Sequence, residues 1–385
     1  ILKIYAKKGL IQNALYVFDN MPKCGRLPSL RSCNSLLSGL VKNHDFQTVF
    51  CVYEQIVRMG IVPDVYTCSI MVNAYCKDGR VCKAVEFLEE MEKKIGLELN
   101  SVIYHSLINA FVEEGDLENA EGVLRLMSER GIVKNVVTYT LLIKGYCKQG
   151  KVEEAENVFR VMKTEEGDKM AVDEQAYGVL IDGFCQVGKL DDAIRIKEEM
   201  LSFGLKMNMF TCNSLINGYC KLGQVSEAHG IVRSMSDWKL RPDSYTYTTL
   251  MNGYWQAGQT QQALILCDTM IRDGVEPTVV TYSVLLKGLC QSGAIDDALR
   301  LWALMLKRGV TPDEVCYGAL LHGLFNKGIS EKALMLWKHV LAQGFAKSRI
   351  LVNTMINGLC KMGKIIEAEQ VFDRMKELGF SPDEV

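Results

Sequence analysis

The chain has 385 residues, 48% of them apolar, and 44 Lys and Arg against 46 Asp and Glu, a formal net charge of −2. That apolar content excludes an intrinsically disordered chain, and no apolar run approaches the roughly 18 residues a membrane helix needs. The near-neutral average decides nothing about a nucleic-acid partner, because in a repeat array it hides segregation of charge between faces.

Six of the seven prolines lie on one ruler. Pro28 to Pro63, Pro242 to Pro277 and Pro277 to Pro312 are each 35 residues, Pro312 to Pro382 is 70, and Pro63 to Pro242 is five periods plus four residues. A fixed period of this length marks a tandem array. In chain order the array reads as a partial unit, 1–29, and ten full ones: 30–64, 65–100, 101–135, 136–173, 174–208, 209–243, 244–278, 279–313, 314–348 and 349–383. Glu384 and Val385 open a further unit, and the surplus residues fall in units 65–100 and 136–173. Slots are numbered 1 to 35 in each unit, slot 35 being counted back from the next unit. Because the chain begins and ends inside a unit, it reads as a fragment of a longer array, and the lack of a signal or transit peptide in 1–29 carries no weight.

Within unit 279–313, Leu285, Leu286, Leu289 and Cys290 form the stripe of a first helix, A. Gly293 breaks it; Ala298, Leu301, Trp302 and Met305 mark a second helix, B; Gly309 and Pro312 close the unit. Glycine fills slot 15 except at His44, alanine slot 20 except at Val49, and methionine slot 27 except at Ile56 and Val340. One hairpin cannot bury two apolar stripes, so neighbours must stack. The expected fold is all-α, a superhelical solenoid of tandem helix–turn–helix repeats over 1–385. Acidic residues such as Glu153, Glu154, Asp296 and Asp297 suit the N-terminus of helix B.

Of the fourteen cysteines, Cys76, Cys147, Cys185, Cys220, Cys290 and Cys360 share slot 12, and Cys33, Cys68 and Cys212 share slot 4. Repeated core positions explain them as free thiols, and no CxxC spacing supports zinc. No catalytic constellation, phosphate-binding loop or deaminase signature is present, so the expectation is a non-enzyme without cofactor or metal.

Units such as 136–162 (VVTYTLLIKGYCKQGKVEEAENVFRVM) resemble the pentatricopeptide repeat, with tyrosine at slot 4, glycine at 15, alanine at 20, methionine at 27 and proline at 34. The resemblance covers essentially the whole chain, and the near-uniform 35-residue units look like the P class, restorer-of-fertility-like in style. It implies a sequence-specific single-stranded RNA-binding protein of a plant organelle, reading one base per repeat. Its implied work is RNA processing, stabilisation, splicing or translation, in the mitochondrion or, as the alternative, the chloroplast. The resemblance further implies that slots 5 and 35 choose the base edge, slot 2 packs on base faces and slot 13 reaches phosphates.

Slot 35 holds Ser29, Asp64, Asn100, Asn135, Asp173, Asn208, Asp243, Thr278, Asp313, Ser348 and Asp383. Each is a good helix N-cap residue, so capping and base recognition compete for them. Slot 5 holds Asn34, Ser69, His105, Thr140, Gly178, Asn213, Thr248, Ser283, Gly318 and Asn353. Asn, Gly and Thr are roughly 0.5–1 kcal/mol poorer than alanine inside a helix, so something besides helix stability selects this slot. Slot 2 holds Tyr66, Val102, Val137, Phe210, Tyr245, Val280, Val315 and Ile350 as stacking candidates, with Arg31 and Gln175 departing. Slot 13 offers Lys42, Lys77, Lys148, Lys221 and Lys361 for phosphates, while Glu113 and Gln186 interrupt the row.

Carried over pair by pair, Asn34/Asp64, Asn213/Asp243 and Asn353/Asp383 imply U. Thr140/Asp173 and Ser283/Asp313 imply G, Ser69/Asn100 and Gly178/Asn208 imply A, and Thr248/Thr278 implies a purine. His105/Asn135 and Gly318/Ser348 fit no clear pair. The implied target is 5′-UANGAURGNU-3′. A helical-repeat scaffold for protein partners is the alternative; the restricted slot 5 argues against it. Truncated array ends, exposing apolar helix faces, are expected to promote self-association.

Overall fold

The computed structural model describes residues 2–96, 100–164, 172–345 and 348–377. Asp383 and the unit opening at Glu384 lie outside the described residues. The chain is an all-α solenoid of helical hairpins, and the described residues contain no strand. It divides into two compact units, one of residues 1–187 with 194–205, the other of 188–193 with 206–385.

Local chemistry sets each helix boundary. The slot-35 side chain caps helix A: Asp64, for example, accepts from the Thr67 amide (2.8 Å) at the start of Val65–Lys77. Helix A then ends at a left-handed residue. Gly79 (φ +72°) does this in the second full unit, and His44 adopts φ +57° where the glycine column lapses. A second left-handed residue ends helix B: Gly309 (φ +73°) is typical, and Lys239 substitutes at φ +60°. Only glycine takes this conformation without a Cβ penalty, which explains both columns.

Ala14, Ala84, Ala120, Ala155, Ala193, Ala228, Ala263, Ala298 and Ala333 at slot 20 are fully buried, as is Val49. Met127, Met162, Met200, Met235, Met270 and Met305 at slot 27 are likewise at 0% exposure, so the methionine row is core. Several slot-4 tyrosines join helix A to helix B of their own repeat. Tyr104 accepts from Arg130 (2.7 Å), Tyr177 donates to Glu199 (2.8 Å), and Tyr317 pairs with His339 (2.8 Å).

A column the period alone did not reveal lies at slot 10. A Cβ at Gly183, Gly253 or Gly323 would strike the slot-12 cysteine of the preceding repeat, Cys147, Cys220 or Cys290. At Gly288 and Gly358 it would enter the rings of Trp255 and Phe325. Glycine therefore sets how closely consecutive A helices approach. Burial pushes the Cys147 and Cys220 thiols up to about 12, which makes them inert at neutral pH. Cys360 departs from the expected core role: it is exposed. Among the described residues no helix is long and apolar enough to cross a membrane, and no cluster of three or more His, Cys, Asp or Glu could hold a metal.

Candidate nucleic-acid interface

Slots 2, 3 and 5 lie within the first one and a half turns of each A helix, directly after the slot-35 cap. Slot 2 projects into solvent: its eight apolar side chains range from 49% exposed at Phe210 to 69% at Ile350, with Tyr66, Val102, Val137, Tyr245, Val280 and Val315 between. Large apolar groups left in water at one repeated slot are the unusual feature here, since the same residue types elsewhere in these helices are buried or half-buried.

Slot 5 sits recessed beside them. Asn34, Thr140, Gly178, Thr248 and Ser283 are buried, Ser69, His105, Asn213 and Gly318 half-buried, and Asn353 exposed. In the second of the two compact units, Tyr245, Val280 and Val315 wall a cleft of about 450 Å³ with Thr248, Ser283 and Thr278 set within it. Val315 and Ile350 wall a second, of about 400 Å³, at Gly318. A third, of about 350 Å³, brings Ile350, Asn353 and Lys361 together. Asn217, Asn252, Lys287 and His322 also line these clefts from slot 9, a polar row that our reading of the sequence did not single out.

Every described slot-35 residue caps its helix. Ser29, Asn100, Asn135, Asp173, Asn208, Asp243, Thr278, Asp313 and Ser348 accept from the amide three residues on, as Asp64 does. The pairing of slots 5 and 35 is direct at Asn34, whose Nδ2 donates to Asp64 Oδ1 (3.2 Å). Partial burial works to raise the Asp64 pKa, but hydrogen bonds from Thr67, Asn34 and the backbone outweigh it and hold the carboxyl below its ordinary value.

A threonine at slot 3 links slots 5 and 35 and was not singled out from the sequence. Thr67, Thr138, Thr211, Thr246 and Thr281 are all at 0% exposure. The Thr67 hydroxyl lies 2.8 Å from Asn34 Oδ1, Thr246 2.7 Å from Asn213 Oδ1, Thr138 2.8 Å from His105 Nε2 and Thr281 2.9 Å from Thr248 Oγ1. Burial lowers the His105 pKa, against an opposing hydrogen bond with Asn135, so the imidazole is neutral at neutral pH.

All five slot-13 lysines, Lys42, Lys77, Lys148, Lys221 and Lys361, are exposed. Lys148 is also ion-paired with Glu113, which Lys144 contacts at 2.9 Å. The two lysines hold the Glu113 carboxyl below its ordinary range. That repeat has already neutralised the charge it was expected to offer a phosphate.

A stack of helical hairpins, each begun by a capped A helix, defines a helical-repeat protein. Sequence profiles of the PPR repeat family match residues 28–77, 172–221, 207–255, 246–291 and 285–326. PPR repeat profiles match 1–26, 66–94, 130–163, 315–345 and 350–380, and the pentatricopeptide repeat domain matches 93–139. The chain belongs to the pentatricopeptide repeat family. A pentatricopeptide repeat-containing protein of Arabidopsis thaliana is 52% identical over 130 residues, covering 34% of this chain and 14% of that relative. Two more from the same plant, one chloroplastic and one mitochondrial, are 40% identical over 80 residues and 23% over 133. They are covered over 9% and 32% of their lengths, and this chain over 21% and 34%. The matched stretches are thus well under two thirds of these relatives. The crystal structure of the pentatricopeptide repeat protein PPR10 from maize is similar over 99% of this chain and 58% of its own, with a TM-score of 0.60 at 22% identity. The same protein in complex with an 18-nt psaJ RNA element is similar over 100% and 59%, with a TM-score of 0.54 at 22% identity.

Proposed function

We propose that this chain binds single-stranded RNA in a plant organelle, one base per repeat, as a continuous P-class array without catalytic activity of its own. The observation that carries the reading is the exposed apolar slot 2 flanking a recessed polar slot 5 in repeat after repeat. Apolar walls suit base faces, where stacking contributes roughly 1–3 kcal/mol per base. A polar floor of Asn, Ser, Thr and His suits base edges. Lys42, Lys77, Lys221 and Lys361 are placed to neutralise phosphates, with Lys148 the weak member. Occupying RNA in this way accounts for transcript processing, stabilisation, splicing or translation. The mitochondrion is our proposed compartment, with relatives in both organelles.

The proposed target is 5′-UANGAURGNU-3′. Fluorescence anisotropy with this 10-mer, a scrambled 10-mer and the matching DNA tests it; equal, weak binding to all three refutes base reading. Asn213→Thr is expected to move the preference at the sixth base from U toward G. An unchanged profile there refutes the assigned register.

A further inference from the structure

We propose that the slot-3 threonine is a positioning residue for base selection: it fixes the slot-5 side chain of the preceding repeat in its reading orientation, so that only some repeats discriminate sharply. The inference rests on the base-reading proposal above.

The repeats fall into two groups by geometry. Where threonine follows, the slot-5 polar atom is met across the repeat boundary, at Asn34, His105, Asn213 and Thr248, although the Thr248 hydroxyl also donates to Ser244 O (2.6 Å) on its own helix. Where Ile103, Ala176 or Cys316 follows, the preceding hydroxyl turns back on its own helix. Ser69 donates to Val65 O (3.1 Å), Thr140 to Val136 O (2.7 Å) and Ser283 to Val280 O (2.9 Å). Both asparagines that precede a described slot-3 residue belong to the braced group.

The brace settles a question that an amide leaves open, namely which end is oxygen. Thr67 and Asp64 clamp Asn34 from both ends. The carboxylate can accept only from Nδ2 (3.2 Å), so the hydroxyl at 2.8 Å meets Oδ1. One N–H and one lone pair of the amide then remain, a fixed donor–acceptor pair for a base edge. The Thr67 hydroxyl also lies 2.7 Å from Asp64 Oδ1, so its single proton is shared between Asn34 Oδ1 and the cap of the next helix. Thr246 repeats this, at 2.7 Å from Asn213 Oδ1 and 2.8 Å from Asp243 Oδ1. An unbraced hydroxyl must leave its own carbonyl before it can address a base, and it can approach as donor or acceptor. It should read less sharply.

The test measures affinity for the 10-mer and for its single-base variants at the fourth, sixth and eighth positions. In the wild type, discrimination should be sharper at the sixth base (Asn213, braced) than at the fourth and eighth (Thr140 and Ser283, unbraced). Thr246→Val removes the hydroxyl while keeping the shape. It should reduce discrimination at the sixth base by roughly two- to twelvefold, the worth of one hydrogen bond, and leave the fourth and eighth unchanged. Thr246→Ser should restore it, and Cys316→Thr should sharpen the eighth base. A uniform fall across all three positions, as a purely structural threonine would give, overturns the proposal, as does an unchanged sixth base. A wild-type chain that binds all sequences alike overturns base reading itself, and that result is visible before any variant is made.

Discussion

Asp64 and Asp173 occupy the same slot and cap their helices alike, yet the structure assigns them different energies. Asp173 accepts from the Ala176 amide at 2.9 Å, and no slot-3 hydroxyl faces it. Its replacement by alanine should cost about 1 kcal/mol, the usual worth of a cap. Asp64 also accepts from Asn34, which is 4% exposed and would be left with an unpaired amide hydrogen. A stranded buried donor adds about 1–3 kcal/mol, so Asp64→Ala should cost about 2–4 kcal/mol in total. Urea denaturation followed by circular dichroism gives the stability, and amide exchange over 65–77 and 174–186 localises it. The acid dependence has a defined sign. Because the folded pKa of Asp64 lies below its ordinary 3.8, its contribution is in place above that pH and is lost as pH falls through the folded value. The gap between wild type and Asp64→Ala should therefore close in acid. Equal losses in the two variants at neutral pH would refute the claim that the Asn34 link carries energy.

Met270→Ala, at a fully buried slot 27, should cost about 2–5 kcal/mol, whereas Met335→Ala, 71% exposed, should stay within about 0.5 kcal/mol; urea midpoints decide. Tyr245→Ala should weaken binding of the 10-mer by roughly 5- to 150-fold, the worth of one stacked base, and an unchanged Kd would remove slot 2 from the interface. His105, with its pKa depressed, favours the fold above its ordinary 6.5 and loses that preference as pH falls. Wild type should therefore lose stability against His105→Gln between pH 7 and pH 5, and parallel curves would refute it.

Much of this protein was legible in its sequence because a repeat writes each local rule many times. Slot 35 carries Asp, Asn, Ser or Thr because an extended residue before a helix needs an acceptor for an orphan amide, and the caps formed where the side chains said they would. The glycines at slots 15 and 31, the alanines at 20 and the methionines at 27 likewise follow from backbone conformation and burial, which act within one hairpin. What the sequence left undecided involves two hairpins at once. Gly288 faces the Trp255 ring, Lys148 is taken by Glu113, and Thr246 reaches Asn213 thirty-three residues away. Spacing along the chain sets which residues share a face, but which atoms meet across a repeat boundary depends on how closely the two A helices approach. The slot-10 glycines and the slot-12 side chains they admit fix that distance, and only the packed structure decided it.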